Sequence, residues 1–330
     1  MPWADAVPWA DSGPLADAGG RAAAGSAAPA GSFGIVGLGR MAQALLLPLI
    51  ADGVIEPASV RAAVASEASA RQLAASLDLA VSTDASQAWR CAAVLLAVKP
   101  QQLQAVASFA ASLGQLGPAG SSPPLGAGSG AAGPLAAGQP LVGGLPLAAG
   151  GERRPLLISV LAGVRLERLQ GLFPGWCCVR AVPNTPCLVR QGLTGLAWGA
   201  DLDPQRRDWV RLLFARVGEV VELPESQLDA FLALTSSGPA FVALVVEALA
   251  DGAVAAGLPR LQAQHLAHRT LAGTAALLHE GDLHPGQLKD MVSSPAGTTI
   301  AGLRELERAG VRSALIEAVL AAAARSRELG

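Results

Sequence analysis

Positive charge is scarce in this chain, and lysine is nearly absent from it. Lysine and arginine together number 24 against 26 aspartates and glutamates, which gives a formal net charge of −2. The only lysines are Lys99 and Lys289. Without an excess of basic residues the chain has no field that would attract nucleic acid, so we expect no nucleic-acid partner.

Long uninterrupted apolar runs are also missing. A membrane-spanning helix needs roughly 18 consecutive apolar residues, and the most apolar helical segment, Phe241–Leu249, is interrupted by Glu247. The N-terminus lacks the basic start and apolar stretch of a signal peptide, and it carries Asp5, Asp11 and Asp17. We therefore expect a cytoplasmic protein that has no membrane association.

Cysteine and histidine are few, and their spacing does not suit a metal. The four cysteines, which form no CxxC pair, are Cys91, Cys177, Cys178 and Cys187. Reduced cytoplasmic thiols are the expected state. His265 and His268 share a predicted helical face, but no carboxylate is spaced to complete a site with them. We predict no metal site.

Two stretches are of low complexity. Residues 1–32 begin with a six-residue repeat ending in Ala-Asp and then decay into Gly, Ala and Ser, which predicts a disordered tail. From about residue 114 to 154, Gly, Pro, Ala, Ser and Leu dominate without periodicity. A structureless stretch of this length predicts a surface insertion rather than part of a core.

Apolar strands alternate with helices between these stretches. Predicted strands are Phe33–Val36, Val60–Val64, Ala92–Val98, Leu156–Leu161, Cys177–Val182 and Gly192–Trp198, and predicted helices include Met41–Leu49 and Ala68–Leu77. This alternation predicts an α/β Rossmann-type dinucleotide-binding domain over residues 33–202, built on a doubly wound sheet. After about Asp203 the pattern indicates helices alone, so residues 203–330 are predicted to form an all-helical domain.

A glycine-rich loop directly follows the first predicted strand and opens a helix. Its residues are Gly37, Leu38, Gly39, Arg40, Met41 and Ala42, and they match the pattern G-x-G-x-x-A. Gly37 allows the tight turn, Gly39 lets the backbone approach a pyrophosphate, and Ala42 lets the helix pack on the sheet. Free N–H groups at the helix start bind the anion. The loop therefore predicts a dinucleotide site.

The choice between NADP and NAD depends on the end of the second strand. Ser66 there could hydrogen-bond a 2′-phosphate, and Arg71 could add positive charge. Glu67 could instead bind the ribose diol of NAD. The residues leave both interpretations open; we favour NADPH, with NADH as the alternative.

Four stretches together resemble one family. They are Ile35–Ala42, Leu96–Pro100, Val182–Pro186 and Ser293–Leu303, and the last is the most specific. Together they are similar to pyrroline-5-carboxylate reductase over about residues 33–110 and 155–330. The resemblance implies NAD(P)H-dependent reduction of 1-pyrroline-5-carboxylate to L-proline, the last step of proline biosynthesis. It also implies that the helical domain dimerises, giving a homodimer or larger homo-oligomer.

The resemblance further assigns roles to residues. It implies that Val98, Lys99, Pro100 and Ala162 border the cofactor, and that Asn184 lies near the nicotinamide. It implies a substrate-carboxylate site formed by Ser294, Gly297, Thr298 and Thr299. The residues support an anion site independently, because hydroxyls and free N–H groups precede a helix there. Plain helix capping is the alternative. Ser237 is a candidate to hydrogen-bond the ring nitrogen of the substrate.

The chain departs from the family at four positions. Ala296 and Ser236 stand where glycine is usual, and Leu232 stands where a threonine that could donate a proton is common. Asp84 stands where an asparagine lies near the adenosine, and its charge would repel a 2′-phosphate.

Two alternatives belong to other functional classes. A β-hydroxy-acid dehydrogenase has a similar plan but needs a lysine or histidine base, and Lys289 is the only lysine in the helical part. A non-catalytic nucleotide-binding regulator would not need a second anion site at Ser294–Thr299.

Overall fold

The computed structural model describes residues 32–113, 154–200 and 202–329. The predicted tail and insertion fall almost entirely outside these ranges. The chain divides into two compact units, the first ending at Glu225 and the second beginning at Ser226.

The first unit is built on one sheet of eight strands among the described residues. The strands are β1 Phe33–Val36, β2 Val60–Ala63, β3 Ala80–Ser82, β4 Ala93–Leu96, β5 Leu156–Ser159, β6 Cys177–Val182, β7 Gly192–Trp198 and β8 Gly218–Glu222. Their order is β3-β2-β1-β4-β5-β6-β7-β8. All neighbours are parallel except β6 and β7. The strand order reverses between β1 and β4, and ligands bind at such a switch point.

In the described part of this unit, six α-helices accompany the sheet: α1 Arg40–Ala51, α2 Glu67–Leu77, α3 Ser86–Trp89, α4 Leu103–Ser112, α5 Leu166–Leu172 and α6 Pro204–Ala215. Strands β1, β4, β5 and β6 are buried along their whole length. Helices cover both faces of a parallel sheet, so its central strands are continuous apolar runs. The predicted Rossmann-type architecture is confirmed.

The strand β8 differs from the sequence expectation, which placed no strand after Asp203. It pairs in parallel with β7, from Gly192 opposite Gly218 to Leu196 opposite Glu222. Its sequence, Gly-Glu-Val-Val-Glu, leaves no residue fully buried because it is an edge strand. A strand this short, with two glutamates among its five residues, lacks the apolar run by which the other strands were predicted. Both α6 and β8 therefore lie beyond residue 202, where the sequence predicted the end of the sheet domain.

The second unit is helical: α7 Leu228–Thr235, α8 Gly238–Ala255, α9 Arg260–Glu280, α10 Pro285–Met291, α11 Thr298–Arg308 and α12 Val311–Leu329. Within it, α8 and α9 pack through Val246, Ala250, Ala263 and Ala267, and Leu228 and Ala233 of α7 are fully buried. Other large apolar side chains stay exposed: Leu234, Leu244, Leu261, Met291, Ile316 and Leu320. An exposed apolar surface of this kind is typical of one that another chain covers.

One stretch of the described residues, Glu225–Ala255, is long and apolar enough by length and composition to cross a membrane, with a mean hydropathy of 1.7. The sequence expectation considered uninterrupted apolar runs only and did not single it out. Glu247 and Asp251 lie within it. The helix is also interrupted at Ser236 and Ser237, between α7 and α8.

The cysteines agree with the expectation of reduced thiols. All four are buried and free of disulfides. Burial raises the pKa of the Cys178 thiol to about 12, and it also raises the pKa of Cys91 and Cys187. A thiol with a raised pKa is a poor nucleophile at neutral pH.

Candidate dinucleotide and anion sites

Gly37 makes the turn at the end of β1, and its conformation requires glycine. Its φ is +95°, and an added methyl group would stand 2.7 Å from the backbone carbonyl of Ala97. Its N–H donates to the carbonyl of Ala63, 2.9 Å away. The loop is thereby held between the ends of β2 and β4, as the sequence predicted for the first glycine of a dinucleotide loop.

Gly39 is different because the space beside it is open. It occupies the cap position of α1, and no heavy atom would lie within 4 Å of an added methyl group. Leu38 is buried, and its carbonyl accepts a hydrogen bond of 2.9 Å from the side-chain amide of Gln43. This bond ties the loop to α1. Arg40 and Met41 lie in the first turn of α1. The N–H groups of a first helical turn are not used by the helix's own hydrogen bonds. The loop thus offers N–H groups beside open space.

Three more candidate residues follow β4. Val98 and Pro100 are half-buried and Lys99 is exposed. The N–H of Ala97 donates to Val36 at 2.8 Å, which ties this turn to the end of β1. Because β1 and β4 are parallel, the turn and the glycine loop lie at the same edge of the sheet.

Ala162 and Asn184 follow β5 and β6 at that same edge. Ala162 is half-buried in the loop between β5 and α5. Asn184 is only 4% exposed, and its side-chain oxygen accepts from the N–H of Leu193 at 2.8 Å. This bond pins the turn after β6 to the start of β7. Asn184 therefore has a structural bond that the sequence did not predict.

The end of β2 carries the residues that bear on cofactor choice. The Ser66 hydroxyl caps α2 by accepting from the N–H of Ser69 at 3.2 Å. Glu67 accepts a hydrogen bond of 2.5 Å from the hydroxyl of Thr83, at the end of β3. This pairing was missed because 16 residues separate the two side chains, and no local pattern marks such a contact.

Asp84 adds a second carboxylate to this end of the sheet. It accepts from the N–H of Ser86 at 2.9 Å and from its hydroxyl at 2.7 Å. These hydrogen bonds hold the pKa of Asp84 below its usual value, so the carboxylate stays ionised at neutral pH. The ends of β2 and β3 are therefore acidic, and acids here bind a ribose diol better than a phosphate.

The candidate anion loop in the helical unit is a tight turn before α11. The N–H of Gly297 donates to the carbonyl of Ser294 at 3.0 Å, and Pro295 and Ala296 lie between them. Gly297 occupies the cap position of α11 and so provides no capping side chain. The Ser294 hydroxyl lies close by, 2.3 Å from where a methyl group on Gly297 would stand. The first N–H groups of a helix are not used by its own hydrogen bonds and can bind an anion, so this loop stays a candidate anion site.

Ala296 has a left-handed backbone, with φ of +55°. Proline followed by a residue of positive φ is the pattern of a type II turn, in which glycine is preferred at that second position. The sequence identified Ala296 as a departure from the family, and the structure adds that its positive φ is strained for an alanine.

Replacing Ala296 with glycine is expected to raise the free energy of unfolding by about 0.5–1 kcal/mol. Relief of the left-handed penalty, about 1–2 kcal/mol, outweighs the entropy that glycine adds to the unfolded chain, about 0.5–1 kcal/mol. Denaturant unfolding measures the change. Ala301→Gly, within regular α11, is the control and should cost about 1 kcal/mol. A loss at Ala296 equal to that of the control would contradict the prediction.

Ser237 lies in the break between α7 and α8, and its N–H donates to the carbonyl of Leu232 at 3.1 Å. The N–H of Ser236 shares that acceptor at 2.9 Å. Leu232 thus supports the turn with its backbone, and its side chain has no proton to give. No group of His, Cys, Asp or Glu able to hold a metal occurs among the residues that the structure describes.

Comparison with known proteins identifies the family of the chain. Residues 225–329 match the family model described as pyrroline-5-carboxylate reductase dimerisation, and residues 32–116 match the one described as NADP oxidoreductase, coenzyme F420-dependent. The pyrroline-5-carboxylate reductase of Synechocystis is 43% identical over 298 residues, which cover 90% of this chain and 97% of the relative. The chain belongs to the pyrroline-5-carboxylate reductase family.

Solved structures of the family share the fold. A pyrroline-5-carboxylate reductase from Coxiella burnetii is 27% identical with a TM-score of 0.70, covering 92% of this chain and 99% of that one. The Plasmodium falciparum pyrroline carboxylate reductase, solved with NADP bound, has a TM-score of 0.74 at 24% identity, covering 92% of this chain and all of that one.

Proposed function

We propose that this chain reduces 1-pyrroline-5-carboxylate to L-proline with NADPH as the hydride donor, the last step of proline biosynthesis. The observation that carries the proposal is the 43% identity to the Synechocystis reductase across nearly the full length of both chains. The glycine loop after β1 supplies the independent physical support, because Gly39 leaves open space beside the start of α1, and the N–H groups of a helix start bind phosphate.

The cofactor residues of the proposal lie on one edge of the sheet. Those in contact are Gly37, Leu38, Gly39, Arg40, Met41, Ser66, Val98, Lys99, Pro100, Ala162 and Asn184. The N–H groups of the α1 turn bind the pyrophosphate, and Lys99 adds a positive charge beside it. When bound, NADPH supplies the hydride, and the protein's part is to orient it and to exclude water. NADP in the Plasmodium relative supports this choice.

The substrate residues of the proposal lie in the helical unit. Ser294, Gly297, Thr298 and Thr299 bind the carboxylate through hydroxyls and through the N–H groups at the start of α11. Ser237 hydrogen-bonds the ring nitrogen or a water beside it. Holding the carboxylate and the ring nitrogen fixes the orientation of the imine ring, and such positioning supplies much of the rate.

Proton delivery needs no acidic side chain in this proposal. Leu232 stands at the position where a donor is common, and it has none to offer. A cyclic imine that arrives protonated at nitrogen already accepts hydride readily, so orientation is sufficient.

We further propose that residues 33–225 act as the cofactor-binding domain and residues 226–329 as the dimerisation and substrate domain. A second copy of the chain would cover the exposed apolar side chains of the helical unit. We also propose that the protein is a soluble, cytoplasmic homo-oligomer without a nucleic-acid partner.

The test is oxidation of NADPH, and separately of NADH, by the purified protein with 1-pyrroline-5-carboxylate, followed by absorbance at the nicotinamide band. Formation of L-proline is expected. A folded protein that gives no turnover with either cofactor would overturn the proposal.

Glu67→Gln is expected to shift the ratio of kcat/KM for NADPH over NADH upward by about three- to tenfold. The carboxylate repels a nearby 2′-phosphate, and removing one charge at a solvent-exposed site is worth about 1 kcal/mol. Steady-state kinetics with both cofactors measure the ratio. Glu56→Gln, placed before β2 at the opposite end of that strand, is the matched control. Equal ratios in the two variants would show that Glu67 does not face the phosphate position.

A further inference from the structure

Glu225 is the last residue of the sheet unit and belongs to none of the motifs described above. One oxygen of its carboxylate accepts from the backbone N–H of Leu166 at 2.6 Å. The same oxygen lies 3.3 Å from a guanidinium nitrogen of Arg180. A single side chain therefore connects the first residue of α5 with the middle of β6.

Arg180 is the buried member of this ion pair. Only 1% of its side chain is exposed, against 29% for that of Glu225. Taking a guanidinium out of water is costly unless an anion compensates it. By contrast, the pair of Arg190 with Asp52 and that of Arg211 with Glu222 join exposed side chains. The pair of Arg180 with Glu225 is thus unlike these surface pairs of the same chain.

The two contacts enclose the loop that follows β5. Arg180 lies directly beside Ser159, the last residue of β5, in the parallel register of β5 and β6. Leu166 begins α5 on the far side of the loop. Both ends of the segment that carries Ala162 are therefore held, one by the strand neighbour of Arg180 and the other by the carboxylate of Glu225.

The strand containing Arg180 also leads to a second cofactor loop. Strand β6 ends at Val182, and Asn184 follows two residues later with its side chain bonded to Leu193. Shifting Arg180 along the strand direction would move this turn together with the loop carrying Ala162.

We propose that Glu225 and Arg180 are positioning residues for NADPH, which set the relative placement of the loops after β5 and β6. The proposal rests on the proposed function of those loops. Neither side chain contacts the cofactor, and both act through the backbone that borders it. The ion pair contributes by fixing the site before the cofactor arrives, so that binding does not have to order it.

The test is direct NADPH binding to Glu225→Ala, measured by quenching of protein fluorescence without substrate, together with steady-state kinetics for both substrates. The variant is expected to raise the Kd and KM for NADPH at least tenfold while changing the KM for the imine substrate less than twofold. Glu225→Gln keeps an oxygen for the Leu166 N–H and should lose less. A folded Glu225→Ala with wild-type NADPH affinity overturns the proposal.

Two further variants keep this test decisive. Glu222→Gln, in β8, breaks the exposed pair with Arg211 and should leave NADPH affinity within twofold. If Glu225→Ala does not fold, the double variant Arg180→Met/Glu225→Ala removes the buried guanidinium together with this carboxylate. The double variant should fold and still bind NADPH at least tenfold more weakly. Wild-type binding by it would overturn the proposal. Because NADPH binding is measured alone, these results stand apart from whether pyrroline-5-carboxylate is the substrate.

Discussion

Replacing Gly37 with alanine is expected to lower the free energy of unfolding by at least about 2 kcal/mol and to abolish NADPH binding. The left-handed backbone alone costs an alanine about 1–2 kcal/mol. The added methyl group would also stand 2.7 Å from the Ala97 carbonyl, so β1 and the turn after β4 would have to separate. Denaturant unfolding measures the loss of stability, and fluorescence quenching measures the loss of binding.

Gly53→Ala is the matched control for this prediction. Gly53 also has a positive φ, +66°, but no heavy atom would lie within 4 Å of its methyl group. It should therefore show the conformational penalty without the steric clash, and it should bind NADPH normally. Equal destabilisation of the two variants would show that the close approach to Ala97 does not constrain Gly37.

Replacing Gly39 with alanine is expected to separate binding from stability. The backbone of Gly39 is extended, with φ of −79° and ψ of −173°, so alanine adopts it without strain. The change in unfolding free energy should be below about 1 kcal/mol. The methyl group would nevertheless occupy the open space that the pyrophosphate needs. The KM for NADPH should rise at least about tenfold, or about 1.4 kcal/mol.

Gly175→Ala is the control for this second prediction. Gly175 lies before β6, at the opposite edge of the sheet, and its added methyl group would also meet nothing within 4 Å. Its KM for NADPH should equal that of the unaltered protein. If Gly39→Ala binds NADPH equally well, the pyrophosphate lies elsewhere.

Local patterns predicted the parts of the fold that local interactions determine. The strands Phe33–Val36, Cys177–Val182 and Gly192–Trp198 have the predicted bounds, because a short apolar run is readable from neighbours in sequence. The glycine loop was also readable, since Gly37 and Gly39 differ in what their missing side chains allow.

Features that depend on distant partners were not predictable in this way. The buried bond of Asn184 requires Leu193 on the antiparallel strand β7. The contact of Glu67 with Thr83 requires the pairing of β2 with β3. Each joins residues that only the finished sheet brings together, so a sequence pattern contains no trace of either. The roles of these residues towards cofactor and substrate stay predictions until the variants are measured.

The outward-facing apolar side chains of the helical unit have a consequence for how the protein behaves on dilution. Leu261 is 81% exposed, and many other large apolar side chains of these helices are exposed as well. When a fold buries its apolar side chains only by association with another copy, its melting temperature depends on protein concentration, because mass action links stability to the total concentration of chain. Activity per molecule should accordingly decline in very dilute solution and return when the protein is concentrated.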